Sequence, residues 1–407
     1  MPARLPDGDP APADGALPAS ARAGLGSRPF GVYVHVPFCA TRCGYCDFNT
    51  YTAAELTDDT GRGGYVGAVL AELALARRVL GDGAPPAETV FVGGGTPTLL
   101  APGELAQILG AIEATFGIAP GAEITTEANP ESVGPASLAA LREAGFTRVS
   151  LGMQSAAPHV LATLDRTHTP GRAAAAAREA RAAGFAHISL DLIYGTPGES
   201  DDDWRASLDA ALASEPDHVS AYALIVEPGT RLAAQVRRGT LPAPDDDALA
   251  DRYEIADETL GAAGLRWYEV SNWAVDGAAA CRHNLGYWRG GDWWGVGPGS
   301  HSHVGGVRWW NVLHPSTYAA RLAVGASPVA GRELLDDDTR RVERVMLELR
   351  LAEGLPLDVL DDAGCAAARQ AAADGLADPT ALAAEDRVRL TLRGRLLADA
   401  VVRALLD

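Results

Sequence analysis

Six short runs rich in β-branched residues, at residues 31–37, 89–95, 123–129, 148–154, 187–195 and 218–227, are separated by stretches with helical apolar spacing. The helical stretches cover residues 65–80, 102–116, 135–144, 171–183 and 201–213. Strands and helices that alternate in this way need crossover connections, whose fixed hand builds a parallel sheet. The pattern predicts an α/β fold, an open or partial (β/α)6 barrel. In such a barrel the chemistry gathers at the C-terminal strand ends. The unusual residues fall there: Phe38-Cys39, Gly93-Gly94-Gly95-Thr96-Pro97, Glu127-Ala128-Asn129-Pro130, Met153-Gln154-Ser155 and Asp191 to Gly195. Five strand ends on one face of one barrel read as a single site.

The rest of the 407 residues flank this unit. Residues 1–29 are rich in Ala, Pro and Gly, and Asp7, Asp9 and Asp14 interrupt any apolar run, so a disordered tail is expected rather than a signal peptide. The barrel is assigned to residues 30–244. Residues 245–335 form a Trp- and Gly-rich extension that holds seven of the eight Trp and the segment Cys281-Arg-His-Asn-Leu-Gly-Tyr-Trp288. Residues 336–407 read as a smaller C-terminal helix-plus-hairpin domain of winged-helix type.

Composition excludes several roles. All 34 basic residues are Arg against 53 acidic ones, and the net charge of −19 opposes phosphate binding, so no nucleic-acid partner is expected. No apolar stretch is long enough to span a bilayer. Of the five Cys, three lie within eight residues, whereas disulfide frameworks use even numbers spread along the chain. This points to a reducing compartment, the cytoplasm, and to a metal.

The three read Cys39-Ala-Thr-Arg-Cys43-Gly-Tyr-Cys46, a C-x3-C-x2-C spacing. Three thiolates on one loop can each take one iron of a cubane cluster and leave the fourth iron open. Structural zinc would need a fourth protein ligand. Cys281 and Cys365 are far away in sequence and are most simply core thiols.

Tyr33-Val-His-Val-Pro-Phe-Cys39 leading into this spacing resembles the radical S-adenosylmethionine superfamily, specifically its oxygen-independent coproporphyrinogen III oxidase-like branch. The resemblance runs from about Gly31 to the C-terminus. It implies a 4Fe-4S cluster on Cys39, Cys43 and Cys46, with S-adenosylmethionine on the open iron, reductively cleaved to a 5′-deoxyadenosyl radical. It further implies that Tyr33, Gly95, Thr96, Glu127, Gln154, Arg166 and Asp191 contact the cofactor. The residue types suit a zwitterionic amino acid and a ribose, although singly Gly93 to Gly95 could be a turn and Glu127 or Asp191 a helix cap.

Two functions share this branch. Coproporphyrinogen dehydrogenases carry a further Cys two residues after the third, where this chain has Asp47-Phe48, and a longer N-terminal segment. The HemW-type heme chaperones show Cys-x-Phe there and a later His-Asn-x-x-Tyr-Trp motif, here His283-Asn284-Leu285-Gly286-Tyr287-Trp288. The resemblance therefore favours a heme chaperone that passes heme to an acceptor such as a respiratory protein, with oxygen-independent oxidative decarboxylation of coproporphyrinogen III as the alternative. No catalytic residue is assigned. His283 is the expected heme ligand, with aromatic walls from Tyr287, Trp288, Trp293 and Trp294, while a hydrogen-bonded core His and packed Trp remain the bland alternative. The resemblance also allows peripheral membrane contact, which no basic amphipathic helix predicts, and a homodimer. His301 and His303 follow a Gly-Pro-Gly turn whose backbone shape alone could explain that motif.

Overall fold

The computed structural model describes residues 5–56, 63–166 and 169–407. Thr167 and His168, which end the Leu-Asp-Arg-Thr-His run, lie outside the described residues. The six expected strands are β1 (Phe30–Val36), β2 (Ala87–Gly94), β3 (Ile118–Ala128), β4 (Arg148–Gln154), β5 (His187–Tyr194) and β6 (His218–Ala223). They pair in parallel in chain order. Between them lie the helices Tyr65–Leu80, Pro102–Phe116, Pro135–Glu143, Arg172–Ala182 and Asp201–Leu212. The last of these starts at a capping box in which Ser200 accepts from the Asp203 N–H while the Asp203 carboxylate accepts from Ser200. The architecture is a partial α/β barrel.

Side chains alternate along each strand. Val149, Leu151, Ile188, Leu190, Leu192 and Val219 are buried in the main hydrophobic core beneath the helices. Arg148, Ser150, Ser189, Asp191, His218 and Ser220 turn the other way and line a cavity. Parallel strands usually carry apolar residues on both faces. Here the lumen is polar, so every second residue is too.

The extension splits between the two sheet edges. Strands β7 (Arg266–Glu269) and β8 (Asn272–Ala274) continue beyond β6, while β9 (Asp292–Val296) pairs in parallel with β1. Beyond β9 follow β10 (His301–Val304), β11 (Val307–Asn311) and β12 (Val329–Leu334), all antiparallel, giving one sheet of twelve strands. Trp273, Trp294 and Trp309 join the same core as the barrel strands. Buried Glu72, on the first barrel helix, fastens the extension: it accepts from Gly297 N at 2.8 Å, Asn311 Nδ2 at 2.7 Å and the Tyr318 hydroxyl.

The N-terminal tail departs from expectation. Instead of being disordered, its described part packs on the extension: Asp9 exchanges backbone hydrogen bonds with Arg332, Ser327 donates to the Ala13 carbonyl, and Leu17 and Ala21 enter the main core. The physical reason is that β12 is an edge strand whose unpaired groups the tail satisfies.

Residues 336–407 have a separate core around Val345, Leu349, Leu355, Val388 and Val401. Their strand content is small: Leu355–Pro356 pairs with Arg387–Val388, and the helices Leu392–Leu396 and Ala398–Leu406 follow.

Candidate functional site at the mouth and lumen of the barrel

The cysteine loop leaves β1 and lies across the C-terminal end of the barrel. Its base is pinned where the Cys39 N–H donates to the Tyr51 carbonyl and the Tyr51 N–H to the Pro37 carbonyl. The triple-glycine end of β2 presses against it: a Cβ at Gly95 would stand 2.4 Å from the Phe38 carbonyl oxygen and 3.0 Å from Cys39 Sγ. Only a glycine admits that approach. All three thiols are free and partly exposed, and they line a cavity of about 760 Å³. Burial pushes the Cys46 thiol up to about 11 and also raises Cys39. Arg166 offsets the charge a thiolate would bring, with Nη1 3.3 Å from Cys43 Sγ and Nη2 donating to the Gly152 carbonyl at 3.1 Å. Among the described residues no three His, Cys, Asp or Glu side chains converge on one ion. Three thiolates on one loop can each take a different iron, whereas a structural zinc would need a fourth protein ligand, so the donor set fits a cluster.

The same cavity gathers Gly95, Thr96, Glu127, Gln154, Arg166 and Asp191 with the cysteines. Burial, then the neighbouring Asp191, pushes Glu127 up to about 8, although one oxygen accepts from Gly94 N at 3.0 Å. Asp191 is raised to about 6 by burial, against the hydroxyls of Ser220 and Ser150, the latter 3.0 Å from both of its oxygens. Gln154 holds a left-handed backbone (φ 65) at the end of β4, a strained conformation that marks functional strand ends in other folds. Two buried carboxyls beside a cysteine loop suit a ligand that carries both positive charge and hydrogen-bond donors.

Tyr33 stands apart from this set. Its hydroxyl lies 2.9 Å from His35 Nδ1, and it lines an adjoining recess of about 210 Å³ rather than the main cavity. The cavity also has residues that the strand-end reading missed: Ser150 and Ser220, which steady Asp191, and Arg148 and His218 near the floor. The alternation of polar residues along β4, β5 and β6 was the signal that could have found them.

His283 also stands apart. It occupies the first turn of the helix Arg282–Trp288, which closes the N-terminal end of the barrel under β1 and β2. Its ring is 3% exposed, with Nδ1 2.8 Å from Thr89 Oγ1, Nε2 2.7 Å from the Tyr287 hydroxyl, and Phe91 stacked at 5.2 Å. Burial drives its pKa to about 3, so it is neutral. His283, the expected heme ligand, has both ring nitrogens engaged inside the protein, and it does not line either cavity. The other motif residues are also engaged, since Asn284 and Trp288 both hydrogen-bond the buried Glu269. Glu123 completes the floor by accepting from His283 N at 3.1 Å and pairing with Arg148 at 3.1 Å. Arg148 in turn donates to the Ala279 and Ala280 carbonyls just before the motif. Cys281 lies 3.6 Å from Glu123, and burial raises its thiol far above the ordinary range.

Comparison with known proteins agrees with this geometry. The Radical SAM superfamily profile matches residues 33–211. The chain is 60% identical to heme chaperone HemW of Mycobacterium tuberculosis (strain ATCC 25618 / H37Rv) over 379 residues, 93% of this chain and 95% of that protein. It is 33% identical to heme chaperone HemW of Bacillus subtilis (strain 168) over 324 residues, covering 79% and 84%. Among solved structures it resembles the coproporphyrinogen III oxidase HemN of Escherichia coli, a radical SAM enzyme, with a TM-score of 0.79 and 23% identity over 95% of this chain and 92% of that one. That last likeness is one of fold.

Proposed function

The chain belongs to the HemW-type heme chaperones of the radical S-adenosylmethionine superfamily, and from that premise we propose that it binds heme and hands it to an acceptor protein. The observation that carries the reading is the identity with a protein of that name over nearly the full length of both chains. Membership of the superfamily implies a 4Fe-4S cluster and S-adenosylmethionine. Cys39, Cys43 and Cys46 would hold the cluster. Glu127, Asp191, Gln154, Arg166, Gly95 and Thr96 would hold the cofactor, with Tyr33 at its edge. When bound, such a cluster supplies one electron and one open iron position. The chain's own groups place opposite charges around it: the Arg166 guanidinium beside Cys43, and the Glu127 and Asp191 carboxyls deeper in the lumen.

Phe48 supports a carrier rather than a converting enzyme. Where the dehydrogenases have a cysteine, this chain places an apolar ring that is 56% exposed at the cavity mouth. Among the described residues no helix is long and apolar enough to cross a membrane. The place of action we propose is the cytoplasm, with a respiratory heme protein as the kind of acceptor.

The test is anaerobic. Reconstituted protein with cofactor and reductant should bind heme at one per chain, release it to an apo heme protein, and form no protoporphyrinogen from coproporphyrinogen III. Turnover of coproporphyrinogen III well above a cluster-free control would overturn the reading in favour of the dehydrogenase.

A further inference from the structure

A chaperone must present heme iron with a ligand that can also let it go. Neutral imidazole is the common protein ligand of such iron. Three described histidines line the two cavities, His35 and His301 in the smaller recess and His218 in the larger one. His35 is spent: Nδ1 meets the Tyr33 hydroxyl and Nε2 the Asn49 carbonyl, both at 2.9 Å. His218 is buried at the barrel floor, with Nε2 2.8 Å from the Tyr268 hydroxyl and Nδ1 without a protein partner. A porphyrin cannot reach it from the mouth without filling the space the cofactor needs.

His301 differs from both. It opens β10 directly after the Gly297-Pro298-Gly299 turn, it is exposed, and neither ring nitrogen hydrogen-bonds to any described residue. Its ring lies 5.8 Å from that of Trp310, which limits its swing without using its nitrogens. Its pKa lies below the ordinary histidine value, mainly through partial burial and secondarily through Arg308, which keeps the imidazole unprotonated near neutral pH.

The surroundings suit a flat apolar ligand. Phe48 and Asp47 line both cavities, so the recess that holds His301 adjoins the mouth that holds the cysteine loop. Two more exposed apolar residues, Tyr222 and Ile225, stand on the β6 side of that mouth, 41% and 65% exposed. Three of the chain's exposed large apolar side chains therefore rim one opening. Exposed apolar groups gathered at one opening mark a binding surface more often than scattered ones do.

We propose that His301, not His283, is the protein ligand of the heme iron, with Phe48 as the apolar wall against which the porphyrin lies. This rests on the heme-chaperone reading above. It places the cargo at the surface, with a single ligand from the protein, next to the loop that carries the cluster. Phe48 follows Cys46 by two residues, so the order of that loop sets the position of the wall.

The experiment titrates ferric heme into the full chain and into His301→Ala, His301→Gln, Phe48→Ala, His283→Ala and His159→Ala, read by Soret absorption and EPR, with circular dichroism to confirm the fold of each. His159 is exposed and lines neither cavity. The proposal expects an imidazole-type spectrum at one heme per chain in the parent, His283→Ala and His159→Ala. It expects loss of that spectrum, or binding at least about tenfold weaker, in both His301 variants, and recovery of the spectrum in His301→Ala on adding free imidazole. Phe48→Ala should weaken binding and leave the ligand signature intact. A parent that binds heme with His301 variants of unchanged affinity and spectrum overturns the proposal, and loss in His283→Ala instead would locate the ligand there. A parent that binds no heme overturns the chaperone reading itself, and this inference with it.

Discussion

Nε2 of His283 lies 2.7 Å from the hydroxyl of Tyr287, one helical turn further along the same motif. Residues four apart on a helix are neighbours, so the spacing of the motif itself supplies this bond. With Nδ1 on Thr89 and the backbone N–H on Glu123, the residue links the closing helix to β2 and β3.

His283→Ala is therefore expected to act on stability. It removes a buried ring and leaves the Thr89 and Tyr287 hydroxyls short of a partner, at a cost of about 2–4 kcal/mol. Urea unfolding should show a lower midpoint with little change in slope. An unchanged midpoint would mean that the floor is held by other contacts.

Glu72 should behave as a similar rivet between the barrel and the extension. Glu72→Ala leaves the Tyr318 hydroxyl and the Gly297 N–H without this acceptor, removes one of three acceptors of Asn311 Nδ2, and should cost about 3 kcal/mol. Burial raises this carboxyl to about 7, so the folded state holds its proton more tightly than the unfolded chain. The stability it contributes is complete below the unfolded value near 4.5 and is lost as pH rises through about 7. Glu72→Gln mimics the protonated form. Its loss of stability should be smaller than that of the Ala variant, and its unfolding free energy should fall less than the parent's between pH 5 and 8.

The barrel was legible because local pattern and tertiary role coincide in it. β4 and the helices Tyr65–Leu80 and Pro102–Phe116 fall on the expected residues, since β-branched runs and helical spacing each fit only one layer of such a fold. The strand ends named Glu127, Gln154 and Asp191 for the same reason, and the cavity brings them together with the cysteines. What stayed hidden was non-local. The tail's place depends on Asp9 meeting Arg332, more than three hundred residues away, and nothing in an Ala- and Pro-rich run announces that partner. The engagement of His283 was equally hidden, because a motif names residue types, whereas burial and the Thr89 and Tyr287 hydroxyls decide whether an imidazole is free.

For the cysteine loop, replacing Cys39, Cys43 and Cys46 together by Ala should abolish the iron-sulfur absorption near ~400 nm in reconstituted protein. Cys281→Ala and Cys365→Ala should retain it, since Cys281 is bonded to Glu123 at the barrel floor and Cys365 faces the Leu357 carbonyl in the C-terminal unit. Iron and sulfide analysis should give about four of each per chain in the parent and in the two single variants. Retention of a full cluster by the triple variant would remove the loop from consideration.

The raised pKa of Glu127 gives the cofactor site a pH dependence with a definite sign. In the free protein this carboxyl titrates at about 8, because burial and then Asp191 disfavour its charge. S-adenosylmethionine brings a sulfonium and an amine, and positive charge in the lumen stabilises the carboxylate, so binding releases a proton from Glu127. Affinity should then rise with pH from 6 towards 8, by up to about tenfold per unit for one released proton, and level off above that range. Asp191, raised to about 6, adds to the slope only at the acid end. Calorimetry in buffers of different ionisation enthalpy would count the protons directly. In Glu127→Gln the rise between pH 7 and 8 should vanish while the iron content stays constant, because Glu127 touches the Gly94 backbone and not the cysteine loop. A pH profile in that variant identical to the parent's would move the titrating group elsewhere in the cavity.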